Sequence, residues 1–372
     1  MRTVPTIATA MMLALAAGLP ARTLSAQAAV PTPAARAQSP ASPAAAPATV
    51  PFGKAEADLV VRDLAQKLED NFVFPDVAKR YAAMLRDNLA AGKYATFPDA
   101  ATFAKAVTDD LQAIHKDGHL KLVAPTSDSA GVRRPASILG PASGVIKSGW
   151  IAPGVAYISF SLFPGNEATL KDLRAFLETH ASAKTLIIDA RQHRGGGIEE
   201  MNLIFPQLFT KETVLVDMDT RLAVAGRMGA LDEDDPYFRK VASPDTVVRQ
   251  EHFVVPAKGQ GGLAQAKVYL LTSHFTASAG EHLAMSLKRT HRATLVGETT
   301  RGAGNYGMFM PISGEYRAFI PFGRTFDPDS GEGWEGVGVK PDIEVPSDKA
   351  LDEALRSVGV NVKADIALAS LR

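Results

Sequence analysis

Residues 267–307 constrain the fold more than any other stretch, because strand and helix patterns follow one another there with short spacers. Apolar runs predict strands over 267–272 and 293–297, and apolar spacing predicts a helix over 279–288 between them. Ser278 lies among small residues at the start of this helix. The position suits a nucleophile beside the amides of a helix N-terminus. It also suits a simple capping serine, and the local pattern leaves both interpretations open.

Composition excludes several classes of site. The chain has 372 residues, of which 46% are hydrophobic, and a formal net charge of zero. This length allows one large domain or two smaller ones, and the balanced charge gives no reason to expect nucleic acid or an anionic membrane surface as a partner. The chain contains no cysteine. It therefore has no disulfide, no thiolate metal site and no cysteine nucleophile.

The first fifty residues have the composition of a leader followed by a linker. Arg2 precedes a short apolar run over 7–19, and small residues follow this run. The layout predicts a signal peptide over 1–26, with an uncleaved anchor as the alternative. Residues 27–51 are dominated by Ala and Pro and predict a disordered linker. We therefore expect a periplasmic or secreted protein without stable membrane insertion after signal cleavage.

A small N-terminal helical subdomain is predicted over residues 52–123. Apolar residues recur there at helical spacing in three segments, over 56–69, 76–91 and 99–115. The turn after the third segment places His119 at the start of a strand. A histidine in such a turn can be structural, solvated or catalytic. Residues 124–150 are rich in Pro, Ser, Gly and Ala and predict a loop.

Strand and helix patterns alternate after residue 150, which favours an α/β fold built of crossover units. Strands are predicted over 154–162 and 184–189, and helices over 167–179 and 198–209. The turn after the second of these strands contains Gly195, Gly196 and Gly197. Its amides could converge on an anion, or the glycines could serve only a sharp turn. Residues 210–262 look irregular, apart from possible strands over 213–217 and 250–256.

The remaining motifs lie near the C-terminus. Apolar segments on either side of Gly314 predict a hairpin, and the glycine-rich loop over 331–338 contains Glu335. With the turn that contains Ser278 and Gly280, the sequence has three glycine-rich turns at the carboxyl ends of predicted strands or just beyond them. Ligands of α/β sheets gather at the carboxyl ends of strands. A serine, a histidine and a glutamate with backbone oxyanion donors are the machinery of acyl transfer.

Histidine spacing does not support metal-dependent hydrolysis. His274 and His282 flank Ser278, but neither completes a His-x-x-x-His or histidine–carboxylate pattern. We expect no metal site and no cofactor. The other histidines are interpreted as surface residues, namely His115, His180, His252 and His291.

Several ordered segments resemble the C-terminal processing (tail-specific) serine peptidase family. Residues 278–281 and 293–302 resemble its core, 187–196 its I-D-L-R-x-N-x-G-G element, and 336–343 its closing G-V-x-P-D element. Two upstream segments, 71–75 and 116–120, resemble the branch that includes interphotoreceptor retinoid-binding protein and the tricorn core protease. The resemblance covers roughly residues 54–357.

The sequence departs from the processing-peptidase branch at its general base. That branch has a lysine in a late Gly-Lys-Gly turn, and Ala303 occupies the position here. The tricorn-like branch uses a histidine ahead of the sheet and a glutamate before the closing element, and these positions match His119 and Glu335. The resemblance therefore implies Ser278 as nucleophile, His119 as base, and Glu335 as the residue that orients or charge-balances it.

The resemblance also implies an oxyanion hole and a fold. Ala279 N–H and the N–H of Gly195 or Gly196 would stabilise the oxyanion, although His193 replaces the asparagine of the family's element. The implied fold is an α/β, crotonase-like peptidase core of ββα-type units. This core would span 124–357, after the helical subdomain and before a C-terminal tail over 358–372, and residues 120–150 leave no room for a PDZ domain.

The hypothesis from the sequence is a periplasmic or secreted serine peptidase that forms an acyl-enzyme. Its partner would be a peptide or protein substrate, with no role for nucleic acid, and the sequence does not indicate an oligomeric state. The alternative is a binding protein that retains the fold without turnover and carries an apolar ligand, such as a retinoid or a fatty acid.

Overall fold

The helices begin and end close to the positions that apolar spacing and capping residues predict. The computed structural model of the protein describes residues 52–125, 143–227, 235–259 and 262–371. The helices are α1 (Lys54–Asn71), α2 (Pro75–Ala90), α3 (Ala100–Ile114), α4 (Glu167–Thr179), α5 (Glu199–Leu208), α6 (Leu222–Ala225), α7 (Ala279–Arg289), α8 (Ala350–Ser357) and α9 (Ala364–Ala369). Asp99 caps α3, because its Oδ1 accepts the Thr102 N–H at 2.7 Å.

The strands form two sheets. They are β1 (Lys121–Val123), β2 (Val145–Ala152), β3 (Val155–Phe160), β4 (Thr185–Asp189), β5 (Thr213–Arg221), β6 (Phe238–Val241), β7 (Val247–Val254), β8 (Lys267–Thr272), β9 (Thr294–Gly297), β10 (Asn305–Pro311), β11 (Arg317–Phe326) and β12 (Ile343–Glu344). One sheet has the order β12-β9-β8-β4-β3-β2, and only its edge strand β2 runs antiparallel to its neighbour. The other has the order β1-β11-β5-β7-β6, with β10 also paired to β11, and is antiparallel.

Helices cover both faces of the mainly parallel sheet. Buried apolar residues of α4, α5 and α7 pack on one face, and those of α8 and α9 pack on the other. All five residues of β4 are buried, as a central strand of such a sheet requires. The carboxyl ends of β4 and β8 therefore lie side by side, which brings the turns that follow them together.

The N-terminal helices pack on the antiparallel sheet. Leu64, Phe72 and Phe103 belong to a cluster of buried side chains that also includes Ala318 and Ile320 of β11. Val73 N–H donates to Pro321 O at 3.0 Å. This helical region leads directly into β1, which pairs with β11.

Two sequence predictions of irregular structure are wrong. Residues 145–152 form β2, whereas the sequence predicted a loop over 124–150. The sequence signal is weak because β2 is a half-exposed edge strand that includes Gly149. Residues 210–262 looked irregular, but β5, β6 and β7 pair there as antiparallel strands, and the two segments named as possible strands are confirmed.

None of the helices in the described ranges is both long enough and apolar enough to span a bilayer. The predicted signal peptide over 1–26 and linker over 27–51 lie outside the described residues. The residues predicted as a C-terminal tail include α9, whose Ala367 is buried against the mainly parallel sheet.

Candidate active site

Ser278 lies in a sharp turn between β8 and α7. Its backbone has φ 54° and ψ −117°, a conformation that costs a non-glycine residue about 1–3 kcal/mol. Hydrogen bonds hold the turn, since Thr276 Oγ1 donates to Ala190 O at 2.7 Å and Ser278 N–H donates to Glu281 Oε2 at 2.8 Å. A serine in a strained turn from strand to helix is the backbone arrangement of the nucleophile in α/β hydrolases.

Glu281 ties this turn to a second one. Its carboxylate also accepts the N–H groups of Gly302 and Ala303, at 2.6 and 2.8 Å, and the Thr300 hydroxyl at 2.6 Å. Burial raises the pKa of Glu281, and these hydrogen bonds counteract part of that rise. The sequence reasoning did not use Glu281, although the S-x-x-E capping pattern that begins at Ser278 pointed to it.

The glycine turn after β4 contacts Ser278 directly. Gly195 has φ 112°, and a Cβ on it would lie 2.9 Å from Ser278 Cβ. Gly196 has φ 126°, and a Cβ on it would lie 1.9 Å from Phe163 O. Both positions therefore require glycine for conformation and for space. The turn and the serine are in van der Waals contact, as a shared site would need.

His193 fixes the shape of the glycine turn. Its Nδ1 accepts the Gly195 N–H at 3.1 Å, so the ring proton belongs on Nε2. Burial lowers the pKa of His193 to about 3, which keeps the ring neutral. The backbone of Gly280 lies close to this ring, and only a residue without a side chain fits there, since a Cβ on Gly280 would lie 2.8 Å from His193 Nδ1.

Two backbone N–H groups beside Ser278 remain available. Within the described ranges, neither Gly196 N–H nor Ala279 N–H has a protein acceptor. Gly195 N–H differs, because it is donated to His193. Free amides on two adjoining turns are the type of donor that an oxyanion hole uses.

His119 lies in an Asx-type turn that follows α3. Asp117 Oδ1 accepts the N–H groups of His119 and Leu120, both at 2.9 Å. The imidazole stacks on the Phe319 ring at 5.1 Å, and its buried Nδ1 has no hydrogen-bond partner among the described residues. Burial is the main reason why the pKa of His119 is lowered, although Asp117 opposes it. The ring is therefore neutral at neutral pH and can accept a proton.

Glu335 reaches the same turn from the C-terminal loop. Its carboxylate accepts the N–H groups of Gly118, Gly304 and Asn305, at 2.5, 2.6 and 2.8 Å. Burial, followed by the charge of Asp117, raises the pKa of Glu335 to about 7. Asn305 Nδ2 also donates to Asp117 Oδ2 at 2.9 Å, so the β10 terminus joins the two carboxylates.

Asp117, His119 and Glu335 form one cluster. A nitrogen of His119 and an oxygen of each carboxylate all lie within 4.8 Å of one another. This spacing would also allow the three to share a divalent cation, although each carboxylate already accepts three N–H groups. Sequence reasoning missed Asp117, which precedes His119 by two residues in a D-G-H turn.

The turn over residues 302–304 links this cluster to the serine turn. A Cβ on Gly118 would lie 3.0 Å from Ala303 Cα, and the Ala303 N–H is bound by Glu281. No hydrogen bond joins the His119 ring to Ser278 or to Glu335 in the described part of the chain. Catalytic hydrogen bonds of this kind often close only when substrate is bound.

The prediction that His180 and His252 lie on the surface is wrong. Both are buried, with 7% and 1% of their surface exposed. His252 Nδ1 lies 2.9 Å from His282 Nε2, and His252 Nε2 lies 3.0 Å from Asn202 Oδ1. These hydrogen bonds connect β7 with α5 and α7, the helices that follow the Gly195 turn and the Ser278 turn. Burial lowers the pKa of both His252 and His282, to about 4 for His282.

Comparisons with known proteins agree with this architecture. A protein of Parabacteroides merdae proposed to be a peptidase has 15% identity and a TM-score of 0.54, over 84% of this chain and 98% of its own. The photosystem II D1 C-terminal processing protease has 16% identity and a TM-score of 0.50, over 82% and 98%. The tricorn protease has 14% identity and a TM-score of 0.51, over 82% of this chain and 36% of its own. At these identities the likeness shows the fold.

Family profiles match most of the described residues. The N-terminal domain of peptidase family S41 in eukaryotic IRBP matches residues 50–148. The profile of peptidase family S41 itself matches residues 154–345, which is more than half of the chain and includes Ser278, Gly195 and Glu335. The α/β fold, the N-terminal helical region and the resemblance found in the sequence are thereby confirmed. The chain belongs to peptidase family S41.

Proposed function

We propose that the protein is a serine peptidase with Ser278 as its nucleophile. The contact between two turns carries this proposal. Gly195 packs against the strained serine, and the free N–H groups of Gly196 and Ala279 lie on these same turns. Preorganised donors beside a nucleophile stabilise the charge that develops on a carbonyl oxygen. Membership of family S41 supports the peptide bond as the target.

His119 is the proposed base. Its ring is neutral near pH 7, because burial lowers its pKa, and its Nδ1 has no partner within the described residues. The charges of Asp117 and Glu335 lie close enough to stabilise the imidazolium that forms when it accepts a proton. Ala303 stands where the processing-peptidase branch has its lysine and is buried beside Gly118, so the base must come from another turn.

The proposed reaction follows acyl transfer. Ser278 Oγ attacks the scissile carbonyl while His119 accepts its proton, and the oxyanion receives hydrogen bonds from Gly196 and Ala279 N–H. The intermediate collapses to an ester on Ser278, and His119 donates its proton to the leaving amine. Water then attacks the ester while His119 accepts its proton, and His119 returns that proton to Ser278 Oγ as the ester bond breaks and the acid product leaves. Glu335 stabilises the imidazolium in each step.

The proposed setting is outside the cytoplasm. It rests on the leader-like sequence over 1–26 and the linker composition over 27–51. Expression of the full chain in a bacterial host, followed by N-terminal sequencing of the periplasmic protein, should give a mature start near residue 27. A chain that stays in the cytoplasm and begins at Met1 would contradict export.

The carrier alternative receives less support from the site. The cleft beside the Gly195 turn is lined by charged side chains, of which Lys147 and Arg194 have no carboxylate partner in the described part of the chain. An apolar ligand such as a retinoid would leave these groups without partners. We therefore place peptide hydrolysis ahead of ligand carriage.

Labelling with a fluorophosphonate and hydrolysis of a peptide library test the nucleophile. Wild type should be labelled and active, Ser278→Ala should show neither property, and His119→Ala should lose about 10³-fold or more in kcat/KM. Ser286→Ala is the matched control. It removes a buried serine of the same helix whose hydroxyl has no partner in the described structure, and it should retain labelling. Equal labelling of wild type and Ser278→Ala would sink the nucleophile assignment.

A further inference from the structure

A cleft of about 730 Å³ opens next to the turn that carries Gly195. It lies at the carboxyl ends of β3, β4 and β8, and Arg194 and Phe275, close in sequence to Gly195 and Ser278, are among its walls. Its volume lies in the range of pockets that hold a small ligand or a short stretch of peptide. Because the proposed nucleophile turn adjoins it, the cleft is placed to hold part of a substrate, and this inference rests on the proposed function.

Several charges in the cleft are neutralised within the protein. Asp189 accepts Arg191 Nε and Nη2 at 2.9 and 2.6 Å, and it also accepts the Tyr157 hydroxyl at 2.7 Å. The remaining terminal nitrogen of Arg191 donates to Ser347 O at 2.8 Å. Asp348 pairs with a neighbouring lysine. These groups hold the walls together and leave little net charge of their own.

Lys147 and Arg194 differ from the other charged groups in the cleft. Neither has a carboxylate partner in the described part of the chain. Lys147 is opposite Ser159 in the β2–β3 pair, and Arg194 N–H donates to Ser161 O at 2.8 Å. Both residues are therefore anchored near the carboxyl end of β3, Lys147 through β2 and Arg194 through the glycine turn, and both line the same cleft.

The Arg194 guanidinium is oriented by stacking. Its central carbon lies 4.5 Å from the centroid of the Phe275 ring, and 41% of the Phe275 surface is exposed. Stacking occupies one face of the guanidinium and leaves its N–H edge for a ligand. That edge matches a carboxylate in a two-pronged arrangement.

We propose that this cleft binds a carboxylate of the peptide substrate, with Arg194 and Lys147 as its charge partners. The carboxylate can come from an acidic side chain or from a free C-terminus. The proposal predicts a preference for acidic peptides, and Arg194 and Lys147 act as specificity residues and take no part in the chemistry at Ser278.

Binding to the Ser278→Ala protein tests the proposal without hydrolysis. The probes are four fluorescein-labelled decapeptides of alanine and serine, with three glutamates or three glutamines and with a free or amidated C-terminus. Fluorescence anisotropy should show about tenfold tighter binding for a carboxylate-bearing peptide than for the neutral one. Arg194→Gln and Lys147→Gln, each added to Ser278→Ala, should reduce this ratio, and Lys171→Gln, at an exposed site on α4, should not.

The two sources of carboxylate separate in the same data. If the peptides with glutamates bind more tightly whatever their C-terminus, the cleft is a subsite for acidic side chains. If the peptides with a free C-terminus bind more tightly whatever their side chains, it is a subsite for the terminal carboxylate. Equal affinity for all four peptides would overturn the proposal. So would an equal loss for all four in Arg194→Gln, because that residue would then only shape the turn. Failure of hydrolysis in wild type would count against the peptidase and would leave the binding ratios valid.

Discussion

Glu335 is the residue whose charge we expect to limit activity near neutral pH. Burial and Asp117 raise its pKa to about 7, whereas the pKa of His119 is lowered, so this proposed base is already neutral when Glu335 titrates. If ionised Glu335 stabilises the imidazolium, kcat/KM rises with an apparent pKa near 7. Glu335→Gln should remove that limb and lower kcat/KM about 10²-fold at pH 8. A pH profile of peptide hydrolysis measures both effects, and an unchanged profile in Glu335→Gln would contradict the role.

The same titration of Glu335 predicts that the free energy of unfolding falls as pH rises, whereas activity increases. The folded pKa of Glu335 lies above its ordinary value of 4.5, so the folded state binds more protons between pH 4.5 and about 7. The contribution of Glu335 to the free energy of unfolding therefore falls as pH rises through that window. Urea titrations at pH 5 and pH 8 should show this fall in wild type relative to Glu335→Gln. The difference between the two proteins removes the contribution of the buried histidines.

Gly195 should be essential for activity rather than for folding. A methyl group there would meet Ser278 Cβ at 2.9 Å and would displace this proposed nucleophile. We expect Gly195→Ala to lower kcat/KM about 10²-fold or more, as displacement by about 1 Å does. Gly92→Ala is the control, since Gly92 also has positive φ but no atom within 4 Å of the added Cβ. Thermal melts should show that both variants still fold cooperatively, and equal activities would contradict the contact.

Glu281 is the point at which two loop elements and α7 are joined. Its four accepted hydrogen bonds make it the best candidate for a structural residue of the site. In Glu281→Gln an amide NH₂ would face backbone donors, so we expect a loss of roughly 2–4 kcal/mol in unfolding free energy. Exposed Glu332→Gln should stay within about 0.5 kcal/mol. Denaturant titration compares them, and similar values would rule out this role.

Elements with strong local signals were predictable from the sequence. The boundaries of α1, α2 and α3 agree within two residues, because apolar spacing defines them locally, together with Pro75 at the start of α2 and Asp99 at the start of α3. The edge strand β2 was not predicted, since an edge strand has a mixed exposure pattern. The prediction that His252 is exposed is wrong because its burial depends on α5 and α7, which are far from it in sequence.

The candidate site also has some parts that the local sequence predicts and others that depend on tertiary structure. Ser278 and the glycine turn have local signatures, a helix start and a glycine run after a strand. His119 and Glu335 are 216 positions apart in the sequence, so their proximity is a property of the tertiary structure. Apart from the structure, only the family resemblance indicates it. The carboxylate subsite that we propose in the cleft had no signal in the sequence, because Lys147 lies on the unpredicted strand β2.

The N-terminal helices and the antiparallel sheet form one hydrophobic cluster in the whole molecule. Tyr316, Ala318 and Ile320 are at most 1% exposed, and the side chains that cover them include those of α1 and α3. The same region delivers His119 to the site through β1, which pairs with β11. Both the fold and the proposed chemistry therefore depend on the packing of the N-terminal helices against the antiparallel sheet. The family profiles nevertheless divide the chain near residue 150.

Deletion of residues 52–115 should accordingly abolish cooperative folding of the remainder. The deletion uncovers the apolar face of β11, and each buried side chain of this size contributes about 1.5–3 kcal/mol when covered. Urea unfolding followed by near-UV circular dichroism should show no sigmoidal transition. Deletion of residues 27–51 is the control, and it should leave the melting temperature within about 2 °C, as a linker without a core would. A cooperative transition of the first deletion at the wild-type midpoint would show that the sheet folds without the helices.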